Sequence, residues 1–177
     1  MTTALEIATY IHNTWHRFSG EMQMHKLLYY AQAWSLAWDG QPLFDDPIEA
    51  WDKGPVVRSL RYETLPSEPV PSLSESQQAT IEAVLDYYGK RGGAKLSQQT
   101  HEESPWQQAR DRHSGNNRCT EEITHDSMRR AYTQQSLAGQ GPRRRAVARQ
   151  QMDRCRLATV AETVEREWSR TLELLAR

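Results

Sequence analysis

Two sets of side chains in this sequence have spacings that could support metal chemistry. His12 and His16 lie one helical turn apart, at which two imidazoles can hold a transition metal. No Cys, Asp or Glu nearby completes a tetrahedral set, so surface or half-buried histidines are the stronger interpretation. The run 101–103 (HEE) resembles the start of a zincin motif, but Pro105 stands where the second histidine belongs. We predict no metal site and no cofactor.

Signatures of other enzyme classes are also missing. Cys119 and Cys155 belong to no CxxC pair and have no local histidine signature, and no GxSxG, GxGxxG or P-loop pattern occurs. Two isolated cysteines suit a reducing cytoplasm. The sequence has no apolar run long enough for a transmembrane helix, and its polar start does not resemble a signal peptide. We expect a cytoplasmic protein that is not an enzyme and has no membrane partner.

The stretch from Lys26 to Arg58 indicates binding instead. It holds three tryptophans and two tyrosines in a chain with only two phenylalanines. Large flat side chains with a polar edge suit both cores and protein interfaces. Trp34 falls on a predicted core face, whereas Trp38 and Trp51, beside turn signals, are better placed to contact a partner.

The most specific local motif is Lys53-Gly54-Pro55. Glycine permits a sharp turn and proline fixes the exit of the chain. Its neighbours Trp51, Arg58 and Tyr62 could decorate a groove for a protein partner. The alternative is a loop that only joins a strand to a helix.

The elements around this motif are predicted to be mainly helical, with room for one short β element. Thr3 and Glu6 form a capping box for a helix over residues 4–16. Ser19 can cap a second helix that ends at Gly40 and is apolar nearly all round, which is typical of a core helix. Residues 48–51 are the candidate strand, and a short helix is expected from Val56 to about Tyr62. The run 104–107 (SPWQ) reads as another capping box, with Trp106 turned inward.

The end of the chain has a different character. Residues 143–177 hold nine arginines against five acidic residues, whereas residues 1–142 carry a net charge of −5. After the break at 139–142 (GQGP), apolar residues step along one narrow stripe of a long helical pattern, at Leu157, Val160, Val164, Trp168, Leu172 and Leu175. We predict a helical domain over residues 1–138 and a C-terminal helical extension over residues 139–177, in which residues 143–177 form an amphipathic helix.

This C-terminal stripe either packs on its own domain or docks on another chain. Val164, Trp168, Leu172 and Leu175 are the predicted contact residues, because so narrow a stripe suits a groove on a partner. The arginine run 143–145 could contact phosphates, but the glutamates further along would repel nucleic acid. Nucleic acid is therefore an unlikely partner.

The block from Lys26 to Val57 resembles the Panacea antitoxin domain of SocA-like and phage-associated GepA-like proteins. The matching segments are 26–34 (KLLYYAQAW), 40–44 (GQPLF), 48–51 (IEAW) and 54–57 (GPVV), with weaker matches at Leu96-Ser97, Thr100-His101, Pro105-Trp106 and Ala109-Arg110. The resemblance covers roughly residues 5–135.

The resemblance implies a small α-helical protein-binding module that neutralises a co-encoded toxin. In SocA-like members the antitoxin delivers its toxin to a cytoplasmic protease, so a protease is a further implied partner. No catalytic residues are attributed to the family, and a variable appended segment often makes the neutralising contact. The competing interpretation is a nucleic-acid-binding transcriptional or phage-associated regulator, and a homo-oligomer stays open.

Overall fold

A computed structural model of the chain describes residues 2–15, 17, 19–61, 63, 73–114 and 119–144. The helices in these ranges are α1 (Ala4–Thr14), α2 (Glu21–Asp39), α3 (Glu75–Tyr88), α4 (Gly93–His101), α5 (Ser104–Arg112) and α6 (His125–Leu137). The two strands are β1 (Ile48–Trp51) and β2 (Gly54–Val57), followed by a 3-10 turn at Arg58–Leu60. The predicted mainly α fold with one short β element is confirmed. None of these helices is both long and apolar enough to cross a membrane.

Helix α2 is the centre of the fold. Every residue from Gln23 to Leu36 is buried, and the helix packs against α1, α3, α4, α6 and β2. Its apolar side chains therefore face neighbours on every side. Leu28 and Trp34 are fully buried. The predicted core helix is confirmed.

The start of α2 differs from the prediction. Gly20, not Ser19, is the N-cap, with φ of 119° and no side-chain cap. The Ser19 backbone amide and hydroxyl both donate to Gln23 Oε1, at 2.7 and 2.9 Å. The predicted Ser19 cap is wrong because Gln23 binds that residue from inside the helix. The end of α2 at a left-handed Gly40 (φ 67°) is confirmed.

The strands form an antiparallel hairpin in which Ile48 pairs with Val57 and Trp51 with Gly54. Segment 121–123 extends β1 on its other side, with Glu49 opposite Glu122. The helix predicted from Val56 is wrong, since residues 54–57 are strand and only residues 58–60 are helical. The β-branched pair Val56-Val57 is buried on β2, which suits a strand better than a helix.

The capping box predicted at 104–107 is also wrong. Ser104 is already helical, Glu103 is the N-cap, and no side-chain cap is made. The Glu103 side chain is turned toward three tyrosines, as described below. The capping box between Thr3 and Glu6 is confirmed, although α1 ends at Thr14 and not at residue 16.

Residues 139–144 lie on the helical body. Gly141 faces the Trp34 indole with φ of 88°, and Pro142 is buried. Arg144 pairs with Asp39 at 2.6 Å and its guanidinium carbon lies 5.8 Å from the Trp38 ring centroid. The chain's first compact unit is Met1–Arg145, and the second, Ala146–Arg177, lies outside the described residues. The boundary that we place between residues 138 and 139 stays a prediction, as does the C-terminal helix.

Candidate functional site

The tip of the hairpin needs a glycine at position 54. Gly54 has φ of 93°, a left-handed conformation that strains other residues. A Cβ there would lie 2.6 Å from Thr100 Oγ1 and 2.9 Å from Lys26 Cε. The sharp turn expected at Lys53-Gly54-Pro55 is therefore present, and close packing against α2 and α4 imposes it.

Three helical side chains tie down the same tip. Each donates a hydrogen bond to a main-chain carbonyl of the hairpin: Ser97 Oγ to Lys53 O (2.7 Å), Trp106 Nε1 to Trp51 O (3.1 Å) and Lys26 Nζ to Pro55 O (2.9 Å). Because these tethers come from α4, α5 and α2, the hairpin is held in one arrangement relative to the helices. A surface fixed before binding costs less entropy when a partner docks.

Lys26 is a buried amine behind this hairpin. The residue is 1% exposed, and within the described ranges no carboxylate lies within ion-pair distance of Nζ. Burial lowers the pKa of Lys26 to about 7, because the charged form loses its hydration. The side chain is thus poised between its neutral and charged forms near neutral pH.

His25 is the second basic group in this region. It is 3% exposed, and neither ring nitrogen has a hydrogen-bond partner within the described residues. Glu21 Oε1 approaches Nε2 only to 3.5 Å, at the outer limit of a hydrogen bond. Burial lowers the pKa of His25, and the nearby Glu21 carboxylate opposes part of that effect.

A groove of about 290 Å³ opens between the first turns of α2 and the hairpin. Met22, Val56 and the half-buried Trp51 give it apolar surface. The Arg61 guanidinium lies over the Trp51 ring at 5.4 Å from its centroid, within cation–π range. The remaining lining residues are charged or titratable: Glu21, His25, Lys26, Asp52, Lys53 and Arg61.

Internal pairs neutralise only part of this groove. Arg61 pairs with Glu21 at 3.3 Å, and Asp52 pairs with Arg110 at 2.7 Å. The exposed Lys53 makes no ion pair with any residue that the structure describes. Both carboxylates of the lining are thus paired, whereas Lys26, His25 and Lys53 have no carboxylate at close hydrogen-bonding distance. The groove is suited to an anion.

A second polar cluster lies deeper, around Glu103. Its carboxylate accepts hydrogen bonds from the hydroxyls of Tyr29 (3.2 Å), Tyr30 (3.0 Å) and Tyr132 (2.6 Å). Burial raises the pKa of Glu103, and the three phenol donors oppose part of that rise. Tyr88 stacks on Tyr30 with 3.8 Å between ring centroids. This cluster joins α2, α6 and the start of α5, and we assign it a structural role.

The structure gathers only some of the residues that we predicted to contact a partner. Trp51 and Lys53 line the groove, while Gly54 and Pro55 are buried beneath it. Arg58 is exposed on the neighbouring turn, 3.6 Å from Glu49.

The other predicted contact residues lie elsewhere. Trp38 is away from the groove, half-buried, and donates to Ser136 Oγ at 3.2 Å. Four predicted contacts in the C-terminal stripe and one beside the hairpin fall outside the described residues: Val164, Trp168, Leu172, Leu175 and Tyr62. Their roles stay predictions.

Sequence reasoning missed the basic floor of the groove. Lys26 and His25 lie in a helix that the sequence presents as apolar nearly all round, and this pattern does not reveal that two basic side chains are buried in it. A lysine inside an apolar helical run is itself a signal, because lysine is rarely buried without a partner. No comparable signal marked Glu103, whose three donors come from distant parts of the chain. Within the described residues, no group of three His, Cys, Asp or Glu side chains could hold a metal ion.

The fold is a small helical domain in which a tethered hairpin borders a groove with charged lining residues. Residues 24–107 match the family model described as the antitoxin SocA-like, Panacea domain. The matched region contains most of α2, the hairpin, α3, α4 and the first turn of α5. No curated protein and no solved structure matches the chain. The family supports a general antitoxin role, implies a toxin as partner, and suggests a role without catalysis.

Proposed function

We propose that this protein neutralises a co-encoded toxin by direct contact, with the hairpin groove as part of the contact surface. The observation that carries the proposal is the hairpin tip itself. Its carbonyls are bound by Ser97, Trp106 and Lys26, yet Trp51 and Lys53 remain accessible beside the groove. A rigid tip with a tryptophan and an unpaired cation has the features of an interface anchor.

The C-terminal region supplies the second part of the proposed surface. Its arginines and its narrow apolar stripe suit an amphipathic helix that docks on another protein. Trp168 is the proposed anchor, with Val164, Leu172 and Leu175 beside it. A helix of this length is only partly formed alone in water, so docking would supply much of its stability.

The test is a protection assay in cells that express the product of the neighbouring gene. Lys53→Glu combined with Arg58→Glu should weaken toxin binding and protection while the helical circular-dichroism signal stays intact. The matched control is Arg129→Glu combined with Arg130→Glu, two exposed arginines on α6 outside the groove. Unaltered protection by the hairpin variant would limit the hairpin to a structural role.

Truncation tests the C-terminal part separately. The cut belongs after Arg145, because residues 141–144 pack on the helical body and a cut at Gly141 would remove the Arg144–Asp39 ion pair. The shortened protein should fold and fail to protect. A truncated protein that still protects would refute the C-terminal contact. The toxin's half-life in the same cells separates occlusion, which leaves it unchanged, from delivery to a protease, which shortens it.

A further inference from the structure

We propose that the groove recognises a carboxylate side chain in an acidic peptide segment, with an adjacent apolar residue packed on Trp51 and Val56. The inference rests on the proposed function in one respect, since it takes the toxin as the source of that segment. It goes further by naming the chemistry that is recognised and the side chains that recognise it.

The lining of the groove carries an unbalanced charge. The Asp52 carboxylate is held by Arg110 at 2.7 Å, which leaves the basic groups of the lining in excess. Lys53 stands at the rim, and the Lys26 amine lies at the floor, where it donates to the Pro55 carbonyl. An ammonium group has three donors, so Lys26 keeps donors for a ligand.

The His25 ring has no hydrogen-bond partner within the described residues. A buried imidazole without a hydrogen bond is destabilising, because its nitrogens have lost water and gained no partner. His25 lines the groove and is less than one-tenth exposed. A carboxylate that enters the groove would give this ring a closer acceptor than Glu21, the described carboxylate that lies 3.5 Å away.

Glu21 occupies the place of such a ligand only in part. Its carboxylate reaches Arg61 at 3.3 Å and His25 at 3.5 Å, yet its side chain is 56% exposed. Both distances are long for charge-assisted hydrogen bonds. An incoming carboxylate can therefore take over Arg61 and His25 while Glu21 turns into water. Glu21 acts as an internal competitor for the site.

The volume of the groove limits the size of its ligand. About 290 Å³ is at the lower limit of small-molecule sites, which typically span about 300–1,000 Å³. The space suits one or two side chains rather than a nucleotide or a large cofactor. The apolar surface of Trp51, Met22 and Val56 suits the hydrocarbon part of a peptide and offers nothing specific to inorganic phosphate.

The experiment is an NMR titration of the isotope-labelled full chain with two blocked dipeptides, acetyl-Leu-Glu-amide and acetyl-Leu-Gln-amide. The Glu peptide should give saturable shifts at the Trp51 indole and the His25 amide, with affinity at least 5-fold above that of the Gln peptide. Glu21→Gln should tighten Glu-peptide binding about 3-fold or more by removing the competitor. Lys53→Gln should weaken it by a similar factor. Lys95→Gln, an exposed lysine outside the groove, should leave it unchanged.

Equal binding of the two peptides, shifts confined to another surface, or tighter binding of inorganic phosphate than of the Glu peptide would each overturn the proposal. Weaker binding by the Glu21→Gln variant would overturn the competitor argument. The outcome of the toxin assay is independent of the outcome of the peptide titration. If the Glu peptide binds as expected while the Lys53→Glu, Arg58→Glu variant still binds toxin, the carboxylate site stands and the proposed toxin surface is wrong.

Discussion

Replacing Lys26 with methionine should abolish most of the stability that the protein gains between pH 6.5 and pH 9. Methionine has a similar length and no charge, so it fills the same space beneath the hairpin. It also leaves the Pro55 carbonyl without its donor, at a cost of about 1–3 kcal/mol if that oxygen is not reached by water. At a single pH, the free energy of unfolding of Lys26→Met therefore combines the lost hydrogen bond to Pro55 with the lost ionisation of the amine. The change of this free energy with pH reports the ionisation of the amine.

The direction in which stability changes with pH follows from the pKa of Lys26 in the unfolded and in the folded chain. Its pKa is 10.5 in the unfolded chain and about 7 in the folded one, so between these values only the unfolded chain holds the proton. The free energy of unfolding then rises with pH by up to about 1.36 kcal/mol per pH unit. This contribution is complete above about pH 10.5 and lost as the pH falls through about 7. From pH 6.5 to 9 it amounts to about 2.5 kcal/mol.

The assay is urea unfolding followed by tryptophan fluorescence at pH 6.5, 7.5 and 9. Higher pH is avoided, because burial raises the pKa of Tyr29, Tyr30 and Tyr132 and their ionisation in the unfolded chain would lower stability. Lys95→Met serves as the control, since Lys95 is exposed. The difference in slope between Lys26→Met and the parent is the measured quantity.

A Lys26→Met variant whose pH dependence matches the parent within about 0.5 kcal/mol would refute the reasoning. It would mean that the amine stays protonated to pH 9 and that water or an unrecognised partner reaches it. Under that outcome the floor of the groove would carry a permanent positive charge.

Substitutions at four other positions test the packing. In thermal unfolding, Gly141→Ala should lower the free energy of unfolding by about 2 kcal/mol more than the control Gly139→Ala. Both glycines have positive φ, but a Cβ at position 141 would collide with the Trp34 indole, whereas a Cβ at position 139 meets nothing within 4 Å. Glu103→Gln should lower the free energy of unfolding in urea by about 2 kcal/mol, because the amide brings donors into a site already filled with phenol donors. An unchanged urea midpoint would show that the cluster has no structural role. Leu28→Asp or Trp34→Asp should unfold residues 1–135, since each places an unpaired charge in a fully buried position; a melting temperature equal to the parent's would show that the core face is misassigned.

The parts of the fold that local pattern determines were predictable. The Thr3–Glu6 capping box, the left-handed stop at Gly40 and the run of apolar residues between them depend on neighbours within a few positions. The same holds for the strand at residues 48–51. Sequence rules for helix ends and strands predict these elements correctly because contacts between residues close in sequence determine their conformation.

The sequence predictions were wrong where contacts with residues distant in sequence determine the local conformation. Ser104 looks like a helix cap, but the chain enters α5 through Glu103, whose carboxylate is bound by tyrosines from α2 and α6. A short helix is predicted to start at Val56, yet pairing with Glu49 places this residue in a strand. The groove itself needs α2 and the hairpin together, and no local pattern reports that His25 and Lys26 face it.

The central position of α2 has a consequence for how the protein is made. Its Trp34 ring packs edge-on against Tyr132 of α6, with 5.2 Å between centroids. At a translation rate of about 5–20 residues per second, roughly 5–20 s separate the synthesis of these two residues. For that interval the face of α2 that α6 will cover has no partner in the nascent chain, and its aromatic surface is open to chaperones or to aggregation. The ribosome must therefore deliver nearly the whole helical body before its central helix can be buried.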